Sequence, residues 1–256
     1  MRAMQRETLT PGPVTAPAPP DLSRNALFLD LDGTLLDIQE RPHAVRASEE
    51  LRDLLWRVTK AASGALAIIT GRTIADATSI LHGSPYFIAG VHGFEMQRGA
   101  SIVRDAADLS RLDSARIDVR DLLQRHAIPA LVEDKQASLA LHYRHAPESA
   151  DAVKRVARGI ASQWGLRVLE GKMVVELIAS ARTKGHALTV FMAAPPFSGR
   201  IPIAIGDDHT DEDAFAAAAR LGGGGVLVGE RRQSSAIHTL AGPAAVIAWL
   251  KSGLHA

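Results

Sequence analysis

Cysteine is absent from all 256 residues. That excludes disulfides, thiolate nucleophiles and cysteine-ligated zinc. Excess charge of either sign is missing too: 29 basic residues stand against 28 acidic ones, for a net charge of +1. A nucleic-acid partner would call for a basic surplus, and a solvating tail for an acidic block. No apolar run approaches the roughly 20 residues that span a bilayer. The segment Met1 to Pro20 has no continuous apolar stretch and is broken by prolines, so no signal peptide is expected and the expected location is the cytoplasm.

What remains is the profile of a soluble globular protein with a proper core, 46% hydrophobic and 22% charged. The length suits one large α/β domain, or such a domain with a smaller insert. Near the start, PGPVTAPAPP lacks periodicity, and 1–24 is expected to be a disordered leader. From Asn25 the pattern changes. Ala26 to Leu31 is a short apolar run ending on aspartates and Gly33, the mark of a buried parallel strand entering a functional turn. A helix is expected over Ser48 to Lys60, a buried strand over Ala65 to Thr70, a helix over Ile74 to Leu81 and a strand over Tyr86 to Gly90. After a different middle stretch the βα rhythm resumes, with helix Lys184 to Ala194, strand Ile201 to Gly206, helix Asp211 to Arg220, strand Gly225 to Gly229 and helix Pro243 to Lys251. The expected architecture is a doubly wound parallel sheet formed by 25–101 and 179–256. Between these lies 102–178, where paired strands around two helices suggest an inserted α+β module. Within it, the stripe Leu109, Leu112, Ile117, Leu122 and Leu123 reads as core packing.

Asp30-Leu31-Asp32-Gly33-Thr34 follows the first strand directly, where ligands of open parallel sheets collect. Spacing i, i+2 projects both carboxylates from one side of an extended segment. Two carboxylates so close repel, so one holds a proton or a cation sits with them. Such a pair offers a nucleophile and an acid/base, although an acidic turn without chemistry has the same sequence. A second acidic cluster, Gly206-Asp207-Asp208-His209-Thr210-Asp211-Glu212-Asp213, follows another apolar strand. Helix capping accounts for Asp211 to Asp213 but leaves Asp207 and Asp208 upstream. Oxygen ligands at two strand ends, without cysteine, are the chemistry Mg²⁺ prefers. Thr70-Gly71-Arg72 at the end of the second strand offers a hydroxyl and backbone N–H groups for phosphoryl oxygens. Lys184 opens the helix after the insert and supplies a point cation.

In this order the four segments resemble the four motifs of the haloacid dehalogenase-like phosphatase superfamily, with the insert resembling its C2-type cap. A narrower resemblance, from Asn25 to Leu250, is to the trehalose-6-phosphate phosphatase family. It rests on NALFLDLDGTLLDI, AIITGR, AGVHGFE, VEDKQASLALHYR, GKMVVEL, GDDHTDEDAF and PAAVIAWL. Two departures stand out: Ala179-Ser180-Ala181 replaces a usual Pro-x-Gly turn, and Gln136 a frequent Gly.

The resemblance implies Asp30 as nucleophile and Asp32 as general acid and base. It implies Mg²⁺ held by Asp30, the Asp32 main-chain carbonyl and Asp207, with Asp208 and Asp211 behind them. Thr70 and Lys184 would bind the phosphoryl group, beside Leu31, Gly71 and Arg72. His92 and Glu95 belong to a core loop that faces the cap, and Glu133, Lys135, Arg144, Lys172 and Glu176 would meet the sugar. The implied partner is a small-molecule sugar phosphate rather than nucleic acid or membrane. The implied activity is hydrolysis of trehalose 6-phosphate through an aspartyl-phosphate intermediate. A capped phosphatase for another sugar phosphate is the nearest alternative. A non-catalytic sensor on the same fold would be marked by loss of Asp30 or Asp32, and both are present.

Overall fold

The computed structural model describes residues 15–39, 45–83, 87–99, 101–107 and 109–255. The first part of the main sheet comprises β1 (Asn25–Leu29), β2 (Leu66–Ile69), β3 (Phe87–Gly90), β4 (Glu95–Arg98) and β5 (Ser101–Arg104), with α1 (Glu49–Ala61) and α2 (Ile74–Leu81) between the early strands. The insert contains α3 (Ser110–Arg125), β6 (Leu131–Asp134), β7 (Ser138–His142), α4 (Ala150–Trp164), β8 (Arg167–Gly171) and β9 (Val174–Ile178). The chain then returns through α5 (Lys184–Met192), β10 (Ile201–Gly206), α6 (Glu212–Arg220), β11 (Gly224–Val228), β12 (His238–Leu240) and α7 (Pro243–Gly253).

Eight strands form the main sheet in the order β12-β11-β10-β1-β2-β3-β4-β5. It is parallel from β12 to β3 and ends in the antiparallel hairpin β4–β5. Ala26 to Leu29 of the central strand are all buried, so both faces of β1 are covered. Connections run outward from β1 on one side through β2 and β3, and on the other through β10, so the strand order reverses at β1. A crevice opens beyond the carboxyl ends of β1, β2 and β10, where such sheets bind ligands. Under β1, Phe28 stacks on Phe197 at 5.3 Å between ring centroids, and Phe87 meets Phe197 edge-on at 4.9 Å. Ser48, Thr73 and Thr183 cap α1, α2 and α5, each side-chain oxygen accepting a backbone N–H of the first turn.

The insert has its own antiparallel sheet, β6-β7-β9-β8, backed by α3 and α4. Val153, Ala157, Ile160 and Ala161 of α4 meet Leu112, Ala115, Val119 and Leu123 of α3 in a second apolar core. On α3 the expected stripe needs correction. Ile117 is 70% exposed, and the buried face runs through Ala115 and Val119 instead, the period that sets the helix against the sheet. The hairpin β4–β5 also shifts the boundary: Ile102 and Val103 lie in the main sheet rather than in the insert.

Three further differences concern the ends and edges. The expected leader over 1–24 lies outside the described residues as far as position 14. From Thr15 the chain is packed: Thr15 bridges His238, Trp249 Nε1 donates to Ala18 O at 2.7 Å, and Leu22 is buried. The strand β12 carries no apolar periodicity and was not expected. No helix of the described residues is long and apolar enough to cross a membrane.

Candidate active site

The turn after β1 and the end of β10 touch. A β-carbon on Gly33 would lie 2.2 Å from Asp207 Oδ2, and Gly33 has φ +79, so both space and backbone require glycine there. This contact brings the Asp30–Asp32 turn beside Asp207. Carboxylate oxygens of Asp30, Asp207 and Asp211 all lie within 4.8 Å of one another, and all three residues are buried.

Lys184, the first residue of α5, enters the cluster from the side. Its Nζ stands 2.9 Å from Asp30 Oδ1 and 2.8 Å from Asp211 Oδ1. Burial pulls the ammonium down, but Asp211 and Asp30 outweigh it and hold Lys184 well above the ordinary lysine range. For Asp30 the balance is reversed: burial pushes its carboxyl well up, Lys184 offsets part of this, and Asp211 and Asp207 add to it. Asp207 is raised by burial as well, against the pull of Lys172. Crowded oxygens that resist ionisation fit a hard divalent cation. Asp211 is otherwise committed, with Oδ1 on Lys184 and Oδ2 accepting from Asp208 N at 3.0 Å. Asp208 caps the short turn His209–Asp211, Oδ1 accepting from His209 N at 2.6 Å. The capping role therefore extends upstream to Asp208, contrary to the expectation from sequence. Of the three clustered carboxylates, Asp30 and Asp207 line the crevice.

Thr70 is buried at the end of β2, its Oγ1 accepting from Arg72 N at 3.1 Å. Arg72 reaches across to Asp32, Nε to Oδ2 at 2.6 Å and Nη2 to Oδ1 at 2.7 Å. Beyond β3, Val91 and His92 both have positive φ, 46° and 56°, an uncommon state for a β-branched residue beside a histidine. That backbone lays the His92 ring against Gly71, where a β-carbon would meet Cε1 and Nε2 at 2.9 Å.

The insert hangs over this crevice and touches it through polar groups. His92 Nε2 lies 3.1 Å from Glu176 Oε2, and Ser138 Oγ donates to Glu176 Oε1. Lys135 Nζ lies 3.4 Å from the same carboxylate and donates to Gly71 O at 3.1 Å. Burial alone would raise Glu176; Lys135, His92 and Ser138 reverse this and hold it far below the usual carboxylate range. Lys172, in the β8–β9 turn, donates to Asp207 Oδ2 at 2.6 Å. Arg144 donates to Gln39 O at 2.5 Å and to Lys172 O at 3.1 Å. A cavity of about 190 Å³ lies between the two layers, lined by Asp30, Asp32, Thr70, Gly71, Arg72, His92, Glu133, Lys135, Arg144, Lys172, Glu176, Lys184, Asp207 and Asp208.

Two expected site residues have their side chains elsewhere. Glu95 is buried with Oε2 accepting from Ile74 N at 3.0 Å and Oε1 from Arg104 Nε at 3.0 Å, so it anchors α2 to the hairpin. The Leu31 side chain is buried in the main core, so only its main chain, between Asp30 and Asp32, lies at the site. In turn, His142 was not anticipated. It lines the cavity with its Nε2 2.8 Å from Glu133 Oε2. The signal was present: alternation along β7 puts Ser138, Ala140 and His142 on one face, the one that carries Ser138 to Glu176.

Fold and site together define a haloacid dehalogenase-like α/β fold with an α+β insert over its crevice. A haloacid dehalogenase-like hydrolase from Bacteroides thetaiotaomicron shares the fold at a TM-score of 0.63 and 17% identity, over 89% of this chain and 98% of that one. The model of the trehalose-phosphatase family matches residues 28–240, and the chain belongs to that family. A probable trehalose-phosphate phosphatase of Sinorhizobium fredii is 38% identical over 216 residues, covering 82% of this chain and 79% of the relative. A trehalose-6-phosphate phosphatase of Escherichia coli is 36% identical over 236 residues, covering 91% and 88%. The C-terminal domain of C. albicans trehalose-6-phosphate phosphatase has the same fold, with a TM-score of 0.84 at 21% identity over 94% of this chain and 99% of that one.

Proposed function

We propose that the protein hydrolyses trehalose 6-phosphate to trehalose and phosphate through an aspartyl-phosphate on Asp30. The observation that carries this reading is the convergence of Asp30, Asp32, Thr70, Lys184 and Asp207 on one crevice beneath the polar face of the insert.

Asp30 Oδ1 is held by Lys184, which leaves Oδ2 to attack phosphorus. A bond forms between that oxygen and phosphorus as the bond from phosphorus to the sugar oxygen breaks. The proton from the Asp32 carboxyl goes to the departing sugar oxygen. Water then adds to phosphorus, its proton passes to Asp32, and the bond to Asp30 breaks to release phosphate. Thr70 and Lys184 bind the phosphoryl oxygens. Mg²⁺ fits the donor set of Asp30, the Asp32 carbonyl and Asp207, and when bound it supplies positive charge to the phosphoryl group. Glu133, Lys135, Arg144, Lys172 and Glu176 present donors and acceptors suited to a polyol, and the insert shields the crevice from water.

The test is phosphate release over a panel of sugar phosphates, with Mg²⁺ or with EDTA, for the natural protein and Asp30→Asn. Trehalose 6-phosphate should be turned over best, only with Mg²⁺, and not at all by the variant. Preference for another sugar phosphate would overturn the substrate, and normal turnover by Asp30→Asn the mechanism.

A further inference from the structure

Asp32 and Arg72 come from the ends of neighbouring strands, 40 residues apart in the chain. The guanidinium grips the carboxylate through two charge-assisted hydrogen bonds, Nε to Oδ2 at 2.6 Å and Nη2 to Oδ1 at 2.7 Å. A two-pronged contact of this kind fixes the plane of a carboxylate as well as its position. Arg72 is itself fixed. Its N–H donates to Thr70 Oγ1 at 3.1 Å, its carbonyl accepts from Val91 N at 2.8 Å, and its side chain is only 11% exposed against 32% for Asp32. Two of the crevice's cations thus serve the two carboxylates of the turn separately. Lys184 attends Asp30 and Asp211, whereas Arg72 attends Asp32.

We infer that Arg72 is the positioning residue of the acid/base Asp32 rather than a phosphoryl ligand; this rests on the role given to Asp32 under the proposed function. Asp32 has a short side chain with two rotatable bonds, and it must meet the sugar oxygen in one half-reaction and water in the next. The fork takes one lone pair on each oxygen and fixes their plane; the remaining lone pairs carry the proton in one half-reaction and accept it in the next. An error of about 1 Å in such a group costs on the order of 10²-fold in rate.

The leaving group separates this role from phosphate binding. A sugar alkoxide needs the proton that Asp32 delivers, whereas p-nitrophenolate departs without one. Arg72→Gln, Arg72→Lys, Asp32→Asn and the double variant Arg72→Gln/Asp32→Asn are compared in first-turnover release of trehalose and of p-nitrophenolate, with KM measured alongside. Arg72→Gln should slow trehalose release about 10²-fold, slow the p-nitrophenolate burst far less and leave KM within a few-fold. The double variant should be no slower than Asp32→Asn, because the two residues act as one unit. Arg72→Lys, which keeps the charge and loses the fork, should fall between; it also supplies the readout if Arg72→Gln does not fold. Equal losses on both substrates, a raised KM with kcat kept, or losses that multiply in the double variant would overturn the inference and make Arg72 a phosphoryl ligand. If Asp32→Asn itself releases trehalose normally, the acid/base role fails first. An impaired Asp32→Asn with an unimpaired Arg72→Gln sinks the positioning role alone.

Discussion

Lys184 Nζ sits between two buried carboxylates, 2.9 Å from Asp30 Oδ1 and 2.8 Å from Asp211 Oδ1. One ammonium therefore serves both, and it is delivered by the first residue of a helix whose start Thr183 caps. Removing one member of a buried ion group leaves an uncompensated charge, at a cost of about 3–5 kcal/mol. Lys184→Met should lose stability of that order in urea unfolding without divalent ions, and should lose phosphatase turnover with them. A variant as stable as the natural protein would mean that the carboxylates are held by something else.

Asp207 meets a second lysine, and this one comes from the insert. Lys172 donates to Asp207 Oδ2 at 2.6 Å, so a cation of the insert stands on the carboxylate proposed to hold Mg²⁺. Lysine and metal compete for one anionic group. Titration calorimetry without substrate should find Mg²⁺ binding several-fold tighter to Lys172→Met than to the natural protein. Unchanged or weaker binding would show that the two do not share that oxygen.

Acid should loosen the insert through Glu176. Its carboxyl is held far below the usual range because Lys135, His92 and Ser138 outweigh burial. A group depressed in the folded state adds stability that is fully present above its unfolded pKa, near 4.3, and is lost as pH falls toward the folded value. Unfolding free energy should therefore drop below about pH 4.3, more gently in Glu176→Gln, which has no such proton to bind. Parallel pH curves for the two proteins would remove Glu176 as the source.

Much of this could be read from the chain before any coordinates. Apolar runs ending on Asp30, Thr70 and Asp207 mark buried strands whose ends carry polar groups, because a strand covered on both faces tolerates polar side chains only where it leaves the sheet. Strands β4, β5 and β12 lacked that signal: Ser101–Arg104 is exposed throughout at a sheet edge, and His238–Leu240 is three residues long. Pairings across the chain were also out of reach. Nothing local links Arg72 to Asp32, or His142 to Glu133. Nor does anything local link Asp105 to Ser180 and Arg182, which join the two chain crossings between sheet and insert at 2.8 and 3.0 Å. These follow from topology, which brings strand ends together irrespective of sequence distance. Glu95 shows the converse, a carboxylate in a site-like motif that the fold uses to hold α2.

The insert's contribution to substrate choice can be isolated at Arg144. It lines the cavity, lies on the exposed side, and bridges Gln39 O of the main domain to Lys172 O of the insert. A charged hydrogen bond to a sugar hydroxyl is worth about 1.5–3 kcal/mol, roughly ten- to a hundredfold in kcat/KM. Arg144→Ala should lose that much on trehalose 6-phosphate. On p-nitrophenyl phosphate, which has no second sugar to contact, it should stay within about twofold, because binding energy from remote parts of a substrate is lost only where those parts exist. Steady-state kinetics on the two substrates decides the matter. Equal losses would place Arg144 among the residues that merely hold the insert closed, and a loss larger on the aryl phosphate would remove it from sugar recognition altogether.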